Sequence, residues 1–180
     1  MKWLIPAWEN GALKPLDKVD VHRRGLRHKA ISIFVTDGDR VLLQKRASVK
    51  YHTPGLWTNT CCTHPHWGED DTECAERRLI EEMGIRDLPL SHVGQIEYRA
   101  DVGNGMVEHE VVQVYRARAA ADLPMKLNPR EVEEATWVSL PVLNSAIERT
   151  PARFTPWLQI YMRDHAGMIF PELAVSGPVA

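Results

Sequence analysis

The sequence predicts an α+β fold in a single domain of residues 1–180, and three observations support this prediction. Short strand-like segments separated by glycine-containing turns fill much of the chain. One helical pattern interrupts them near residues 72–83, and two further helical segments follow the last strand. The 180 residues are enough to bury a substantial core, and the sequence contains no internal repeat or linker.

The first part of the chain is predicted to be rich in β-structure. Asn10-Gly11 provides the turn residues of a type I′ hairpin over residues 3–17. The apolar segment Ala30–Val35 predicts a strand, and the turn Asp37–Asp39 connects it to a second strand, Arg40–Lys45. Together these two strands predict a meander.

A helix is predicted from Asp71 or Thr72, either of which can act as its N-cap, to about residue 83. Gly84 stands where a left-handed C-terminal cap belongs. Apolar residues recur at i, i+4 and i+8 and would form the stripe that faces the core: Ala75, Leu79 and Met83.

Two further strands are predicted at residues 92–100 and 107–117, with a glycine-containing turn at 101–105 between them. A short strand, Trp137-Val138, follows an acidic turn that we expect to be solvated. That turn contains Glu131, Glu133 and Glu134.

The C-terminal part is predicted to contain helices at residues 141–149 and 155–165. The folded core would therefore span about residues 18–165. The tail 169–180 is rich in proline, glycine and small side chains, and we expect it to fray.

Composition excludes several classes of function. The formal net charge of −2 provides no basic surface for nucleic acid. No apolar run approaches the roughly 20 residues that span a bilayer, and the amino terminus lacks a signal-peptide core. The three cysteines, Cys61, Cys62 and Cys74, favour a reducing cytoplasm over a disulfide framework, because their number is odd and two are adjacent. We expect a cytoplasmic protein that binds neither nucleic acid nor membrane; its oligomeric state is open, with a monomer as the working expectation.

The segment Thr58–Pro65, Thr-Asn-Thr-Cys-Cys-Thr-His-Pro, places thiols beside imidazoles. One alternative is a zinc knuckle, but the adjacent cysteines lack the two-residue spacing that lets both thiolates reach one tetrahedral ion. That knuckle would use Cys61, Cys62, His64 and His66. A buried inert thiol is a second alternative. Beside imidazoles and a metal, a thiol would instead be available for proton transfer.

Glu108 and Glu110 are two residues apart on a predicted strand, so both point to the same face. On a solvated strand they would serve only solubility. Their neighbours are apolar, however, and two like carboxylates are costly there unless a cation compensates. Three imidazoles could complete a site for a six-coordinate Mn²⁺ or Mg²⁺, with Zn²⁺ possible; they belong to His22, His28 and His64.

Several basic residues could bind a diphosphate, although scattered surface charges are their usual explanation. These residues are Lys18, Arg46, Lys50 and Arg78. Arg78 and Glu82 are spaced i, i+4 on one helix face, where an ordinary intrahelical ion pair is the alternative. Trp157 opens a late helix; core packing is its usual role, but its ring can also face a cation.

The helix and the loop before it resemble the Nudix box, in which a loop–helix–loop presents carboxylates to a divalent cation that holds a diphosphate. The positions that match are Glu69, Arg77, Leu79, Glu81, Glu82, Gly84 and Ile85. Thr63 replaces the first glycine of the box, and Arg78 replaces its first helix glutamate. A cation at that position attracts phosphate and repels metal, which argues for diphosphate binding without hydrolysis.

From about Lys18 to Trp157 the chain resembles the type I isopentenyl-diphosphate isomerases, and the Thr58–Pro65 segment is highly specific to that family. The resemblance implies a Nudix-like α/β/α sandwich with a mixed central sheet, a loop–helix–loop element and C-terminal helices. It also implies interconversion of isopentenyl and dimethylallyl diphosphate, so that the partner is a small prenyl diphosphate.

The same resemblance implies a role for each candidate residue. Cys62 and Glu110 match the catalytic pair, assisted by Tyr98. The Mn²⁺, Mg²⁺ or Zn²⁺ ligands would be His22, His28, His64, Glu108 and Glu110. Glu82 and the backbone carbonyl of Cys62 match a site for the Mg²⁺ that binds the substrate diphosphate. The substrate-binding residues would be Lys18, Arg46, Lys50, Arg78 and Trp157.

Two other functions stay open at this point. A Nudix pyrophosphohydrolase would release phosphate from a nucleoside or prenyl diphosphate, and Arg78 in place of the helix glutamate counts against it. A non-catalytic Nudix domain would bind metal and diphosphate and leave the ligand unchanged.

Overall fold

The computed structural model describes residues 3–171, which form one mixed β-sheet with helices on both faces. The strands are β1 (Leu4–Glu9), β2 (Ala12–Asp17), β3 (His28–Asp37), β4 (Arg40–Arg46), β5 (Trp57–Thr58), β6 (Cys61–Thr63), β7 (Ser91–Gly103), β8 (Met106–Arg118) and β9 (Val132–Ser139). The helices are α1 (Lys18–Arg24), α2 (Asp71–Met83), α3 (Leu140–Arg149), α4 (Pro156–Asp164) and α5 (Ala166–Ile169). Within residues 3–171, no helix combines the length and apolarity needed to cross a bilayer.

The N-terminal hairpin is confirmed, because β1 and β2 pair around a two-residue turn with Glu9 opposite Ala12. Both turn residues, Asn10 and Gly11, have positive φ, as a type I′ turn requires. Helix α1 follows β2 directly and was not predicted. Asp17 starts it, accepting hydrogen bonds from two backbone amides of the first turn.

Strand β3 is the centre of the sheet. It runs parallel to β8, from His28 opposite Glu110 to Thr36 opposite Arg118, and it pairs antiparallel with β1, β4 and β6. Strands β7 and β9 add antiparallel partners to β8 and β4. The sheet is therefore mixed, as expected.

The two faces of β3 pack against different helices, because successive side chains point to opposite sides of a strand. Ile31 and Ile33 lie in a core with α2, whereas Phe34 lies in a core with α4 and α5. This arrangement confirms the α+β class and the predicted layering of helix, sheet and helix.

The end positions of α2 refine the prediction. Asp70, one residue before the predicted caps, accepts hydrogen bonds from the backbone amides of Thr72 and Glu73. Gly84 ends the helix with φ of 69°, as predicted.

Four features differ from the expectation. The segment around Cys62 contains two short strands, β5 and β6, and the strand at Trp137 begins at Val132. Glu131 is not freely solvated but is paired with two cations. The C-terminal chain stays packed beyond residue 168, since Ile169 and Phe170 are fully buried; residues 172–180 of the expected frayed tail lie outside the described residues.

Candidate active site and metal centre

Four histidines surround the carboxylate of Glu108. Nε2 of His22 and Nε2 of His28 lie 3.0 and 3.2 Å from Oε2, and Nε2 of His52 lies 3.1 Å from Oε1. Nε2 of His64 lies 3.8 Å from Oε2 of Glu108 and 3.0 Å from Oε1 of Glu110. The histidines come from α1, the start of β3, the loop before β5 and the position directly after β6, so only the folded chain assembles them.

Three of these histidines and Glu108 fit a divalent metal ion. One ligand atom from each of His22, His28, His64 and Glu108 lies within 4.8 Å of all the others. Nε2 of His22 and both ring nitrogens of His64 are buried without a hydrogen-bond partner among the described residues. Nitrogens that converge without bonding to each other are typical of a metal centre, since buried polar atoms otherwise find partners.

The remaining ring nitrogens orient two of these imidazoles. Nδ1 of His22 lies 2.5 Å from the carbonyl of Lys18, and Nδ1 of His28 lies 2.7 Å from the carbonyl of Leu26. A ring that donates Nδ1–H to a carbonyl presents the Nε2 lone pair to a metal. The local backbone therefore prepares both rings as ligands.

Glu110 lies between the histidines and a tyrosine. In the sheet it is opposite His28 on β3 and Tyr98 on β7. The hydroxyl of Tyr98 donates to Oε2 of Glu110 at 2.6 Å. Burial, reinforced by the negative charge of Glu108, raises the pKa of Glu110 well above its usual value, and the Tyr98 hydrogen bond opposes this shift.

The pKa values of the two carboxyl groups are shifted in opposite directions. Burial by itself would raise the pKa of Glu108, but its close contacts with the four surrounding imidazoles lower it well below its usual value. The fold thus favours an ionised Glu108 beside a Glu110 that can carry a proton. Such a separation of two neighbouring carboxyl groups is typical of acid–base sites.

Cys62 lies on β6 opposite Ser32 of β3. Its Sγ is 3.1 Å from Oγ of Ser32, which is in turn 3.0 Å from the hydroxyl of Tyr161. Burial, followed by the charge of Glu110, raises the pKa of the Cys62 thiol well above its usual value. Cys61 directly precedes Cys62 on the strand, so its side chain points to the other face of the sheet and lies in the core that packs against α2.

One small cavity is lined by both Cys62 and Glu110. The other lining side chains bring histidine, cationic and aromatic groups together: Lys18, Arg46, Lys50, Tyr51, His52, Thr63, His64, Arg78, Glu108 and Trp157. Its volume of about 20 Å³ is room for one or two water molecules. A larger ligand would have to displace side chains that now fill the space.

Glu131 neutralises part of the cationic end of this cavity. Its Oε2 lies 2.5 Å from Nζ of Lys50 and its Oε1 lies 3.3 Å from Nη2 of Arg78. Lys18 is close by, with its Nζ 4.5 Å from the ring centre of Trp3 and 5.5 Å from that of Tyr51. Burial lowers the pKa of Lys18 to about 8, helped by the positive charges of Lys50 and Arg78.

Arg46 differs from Lys50 and Arg78, because its guanidinium bonds to backbone carbonyls instead of to carboxylates. It donates to the backbone carbonyls of His52 at 3.1 Å and Thr53 at 3.2 Å. Its Cζ also lies 5.2 Å from the ring centre of Trp157. The indole N–H of Trp157 donates to Oγ1 of Thr58 at 2.7 Å, which fixes the orientation of the ring in the cavity wall.

Glu82 does not line the cavity within the described part of the chain. Its two oxygens accept from Arg78 at 2.6 Å and from Gln44 at 3.0 Å. The intrahelical ion pair named as the alternative for Arg78 and Glu82 is therefore present, and it is buried instead of solvated. Glu69, another position that matches the box, forms a two-bond pair with Arg77 at 2.6 and 2.8 Å.

The structure brings most of the predicted site residues to one cavity and adds others that sequence reasoning missed. The additions are Ser32, Tyr51, His52, Glu131 and Tyr161. His52 could have been found from the sequence, since it follows the predicted substrate-binding residue Lys50 by only two positions. Tyr161 could not, because helical spacing places it equally well in an ordinary core.

The comparisons with known proteins give a family. Residues 26–158 match the family model described as NUDIX domain. The chain is 58% identical over 170 residues to the isopentenyl-diphosphate Delta-isomerase of Rhodobacter capsulatus. The aligned residues cover 94% of this chain and 97% of that relative. It is 56% identical over 176 residues to the enzyme of the same name from Dinoroseobacter shibae, with coverage of 98% and 100%.

Solved structures support the fold alone. DR0079 of Deinococcus radiodurans has a TM-score of 0.70 at 15% identity and covers 89% of this chain and 96% of that one. A MutT NUDIX hydrolase of Burkholderia pseudomallei has a TM-score of 0.59 at 23% identity, with coverage of 77% and 98%. Because a NUDIX model matches most of its length and two relatives exceed half identity over nearly all of it, the chain belongs to the NUDIX family and, within it, to the isopentenyl-diphosphate Delta-isomerases.

Proposed function

We propose that this protein interconverts isopentenyl diphosphate and dimethylallyl diphosphate by moving a proton on and a proton off the five-carbon chain. One observation carries this proposal: a buried thiol, Cys62, and a buried carboxyl, Glu110, line one cavity together with a metal-binding histidine cluster and a cationic end. The names of the relatives support it.

The reaction needs one proton donor and one proton acceptor. Protonation of the terminal CH₂ carbon of isopentenyl diphosphate moves the alkene electrons into a new C–H bond and leaves a tertiary carbocation. Removal of a proton from the neighbouring CH₂ group returns that C–H electron pair to form the internal double bond of dimethylallyl diphosphate. We assign these two tasks to Cys62 and Glu110, each of which acts as acid in one direction and as base in the other.

The surroundings of the two groups suit both tasks. Both have raised pKa values, so each can hold a proton at neutral pH. The Ser32 hydroxyl at Sγ of Cys62 and the Tyr98 hydroxyl at Oε2 of Glu110 can each stabilise the ionised form. Tyr98 is therefore proposed to assist Glu110 directly.

The cavity is also built to protect a carbocation. Water would quench such a cation, and the volume of about 20 Å³ leaves little room for water. We propose that the ring of Trp157 faces the hydrocarbon, where its π-electrons attract positive charge. Its fixed indole, bonded to Thr58, keeps the ring in that orientation.

The cationic end is proposed to bind the diphosphate through Lys18, Lys50 and Arg78, with Arg46 behind them. Glu82 and the Cys62 carbonyl are proposed to hold a Mg²⁺ that accompanies the diphosphate. A further cation, Mn²⁺ or Mg²⁺ with Zn²⁺ as an alternative, would be held by His22, His28, His64 and Glu108. Glu110, whose Oε1 lies 3.0 Å from Nε2 of His64, is proposed as a fifth ligand. When bound, this cation supplies positive charge that favours the carboxylate form of Glu110.

A pyrophosphohydrolase is the competing function. Arg78 replaces a box glutamate, so the helix has one carboxylate fewer for a hydrolytic metal and places a cation at that position instead. A non-catalytic binding domain would have no use for a thiol and a proton-carrying carboxyl in the same cavity. The free thiols fit a reducing compartment, so we place the reaction in the cytoplasm; a monomer would suffice, since one chain provides every proposed group.

Incubation of the purified protein with isopentenyl diphosphate and Mg²⁺ in deuterated water tests the proposal. We expect dimethylallyl diphosphate that carries deuterium and no released phosphate. Cys62→Ala and Glu110→Gln should each lower turnover by at least a thousandfold and retain pyrophosphate binding. Cys74→Ala removes a buried thiol of α2 that does not line the cavity, and it should keep turnover within a few-fold. Phosphate release, or near-normal turnover by Cys62→Ala, would reject the assignment.

A further inference from the structure

His52 has no place in the metal-binding group, yet it contacts the carboxylate on which that group depends. It lies in the loop between β4 and β5 and is 3% exposed. Its Nε2 is 3.1 Å from Oε1 of Glu108, whereas His22 and His28 lie beside the other oxygen, Oε2. The two sides of one carboxylate thus have different partners.

The second ring nitrogen of His52 has a partner that can act as its hydrogen-bond donor. Nδ1 lies 3.0 Å from Oγ1 of Thr53, whose hydroxyl can donate to it. With Nδ1 accepting, the proton of a neutral ring is on Nε2, which lies 3.1 Å from Oε1 of Glu108 and can donate to it. A carboxylate oxygen that accepts such a bond cannot turn freely.

Hydrogen bonds to its backbone hold the loop that carries His52 in one conformation. Arg46 donates to the backbone carbonyls of His52 and Thr53, and the amide of Gly55 donates to the carbonyl of Arg46 at 3.0 Å. Thr53 has φ of 46°, a left-handed conformation that a β-branched residue rarely adopts. Surrounding structure must compensate for that strain, and strained residues of this kind cluster at functional sites.

Packing fixes the ring itself. Its centre lies 5.7 Å from the ring of His22 in a stacked arrangement and 6.0 Å from the ring of Trp157, edge-on. His52 therefore touches both the proposed metal centre and the proposed hydrocarbon wall. It is a better candidate for fixing the geometry of a ligand than for binding the ion directly.

We propose that His52 is a positioning residue of the metal centre: its Nε2–H holds Oε1 of Glu108, so that Oε2 stays directed at the ion shared with His22, His28 and His64. This inference depends on the metal site of the proposed function. Partners that orient a ligating carboxylate typically affect metal affinity by about ten- to a hundredfold.

Mn²⁺ binding in the absence of substrate tests the inference, because it does not depend on turnover. Electron paramagnetic resonance of free Mn²⁺ gives the dissociation constant for each variant. We expect His52→Ala to bind Mn²⁺ about ten- to a hundredfold more weakly than the native protein. His52→Gln, whose amide N–H can still donate to Oε1, should recover most of that loss.

Three comparisons separate positioning from simple packing. His52→Phe keeps ring volume against Trp157 but has no N–H, so it should resemble His52→Ala and also covers the case in which the alanine variant does not fold. In a Glu108→Gln background, His52→Ala should weaken Mn²⁺ binding no further. His92→Gln, an exposed histidine bonded to Gln113, should bind Mn²⁺ normally.

Two results would overturn the inference while the metal site stands. One is native Mn²⁺ affinity in both His52→Ala and His52→Phe; the other is equal loss in His52→Gln and His52→Ala. No Mn²⁺ binding by the native protein would instead overturn the metal site itself, and this inference with it.

Discussion

The hydroxyl of Tyr98 donates a hydrogen bond of 2.6 Å to Oε2 of Glu110, and both side chains are buried. This bond opposes burial and the charge of Glu108, which both favour a protonated Glu110. The role proposed for Glu110, in which it accepts a proton in one direction and donates it in the other, would need such opposing influences, since the pKa of an acid–base group should lie near the working pH.

Replacing Tyr98 with Phe should therefore slow isomerisation. Loss of the donor raises the pKa of Glu110 further, so the limb of the pH–rate profile that depends on its carboxylate should move to higher pH. Hydrogen bonds to charged groups contribute about 1.5–3 kcal/mol, which corresponds to a fall in kcat of roughly ten- to a hundredfold. Tyr115→Phe is the matched control, because the hydroxyl of Tyr115 contacts Thr72 of α2. This variant should leave kcat and the profile unchanged. A Tyr98→Phe profile identical to the native one would contradict the role.

Removal of the Glu131 charge should strengthen diphosphate binding. Glu131 now pairs with Lys50 and Arg78, so an incoming diphosphate must compete with it. We expect Glu131→Gln to bind inorganic pyrophosphate about three- to tenfold more tightly by calorimetry. Glu133→Gln, which removes an exposed partner of Lys45, should bind as the native protein does. Weaker binding by Glu131→Gln would mean that Glu131 orients the cations instead of competing for them.

Pyrophosphate affinity should fall as pH rises through about 8. The pKa of Lys18 is lowered to about 8, mainly by burial, so its ammonium is present below that pH and lost above it. Lys18→Arg keeps the positive charge at every pH, and comparison with the native protein at each pH cancels the ionisation of the ligand itself. The ratio of the two affinities should be flat below pH 7 and should diverge above pH 8. A constant ratio from pH 6.5 to 9.5 would show that Lys18 stays charged throughout.

The predictable part of the site follows from local patterns and from the family resemblance. Glu108 and Glu110 could be placed on one face because strand alternation depends only on their spacing. The apolar stripe and the capping glycine fixed α2, which carries Arg78 and Glu82. Helix α1 was missed because seven residues give less than two turns of pattern, although Asp17 is an ordinary N-cap.

Other residues depend on contacts that no local pattern reveals. Ser32 reads as one more position of a buried strand until β6 places Cys62 opposite it. Tyr161 reaches the same hydroxyl across 129 positions of sequence. His52 lies in a loop whose shape depends on an arginine and on a left-handed threonine. Strand pairing and loop conformation decide these contacts, and they belong to the folded chain as a whole.

Gly84→Ala should destabilise the protein strongly, because two separate costs meet at the end of α2. Gly84 has φ of 69°, which favours glycine, and an added Cβ would lie 2.6–2.7 Å from backbone atoms of Lys126. The segment that begins at Lys126 cannot move freely, because its backbone amides donate to the last carbonyls of the helix. The amide of Lys126 bonds to the carbonyl of Met83 and that of Asn128 to the carbonyl of Glu82, each at 2.9 Å. Gly105→Ala has the same φ of 69° but open space around its Cβ, so it isolates the cost of conformation alone.

Denaturant unfolding would separate these two costs. We expect about 1 kcal/mol of destabilisation for Gly105→Ala. Gly84→Ala should cost at least 2 kcal/mol more, because the clash is with backbone instead of a flexible side chain. Pyrophosphate binding should weaken only in Gly84→Ala, since displacement of the helix end moves Glu82 and its partner Arg78. Equal free energies of unfolding for the two variants would show that the Lys126 segment gives way at little cost, and that the end of α2 is not what fixes the cationic end of the cavity.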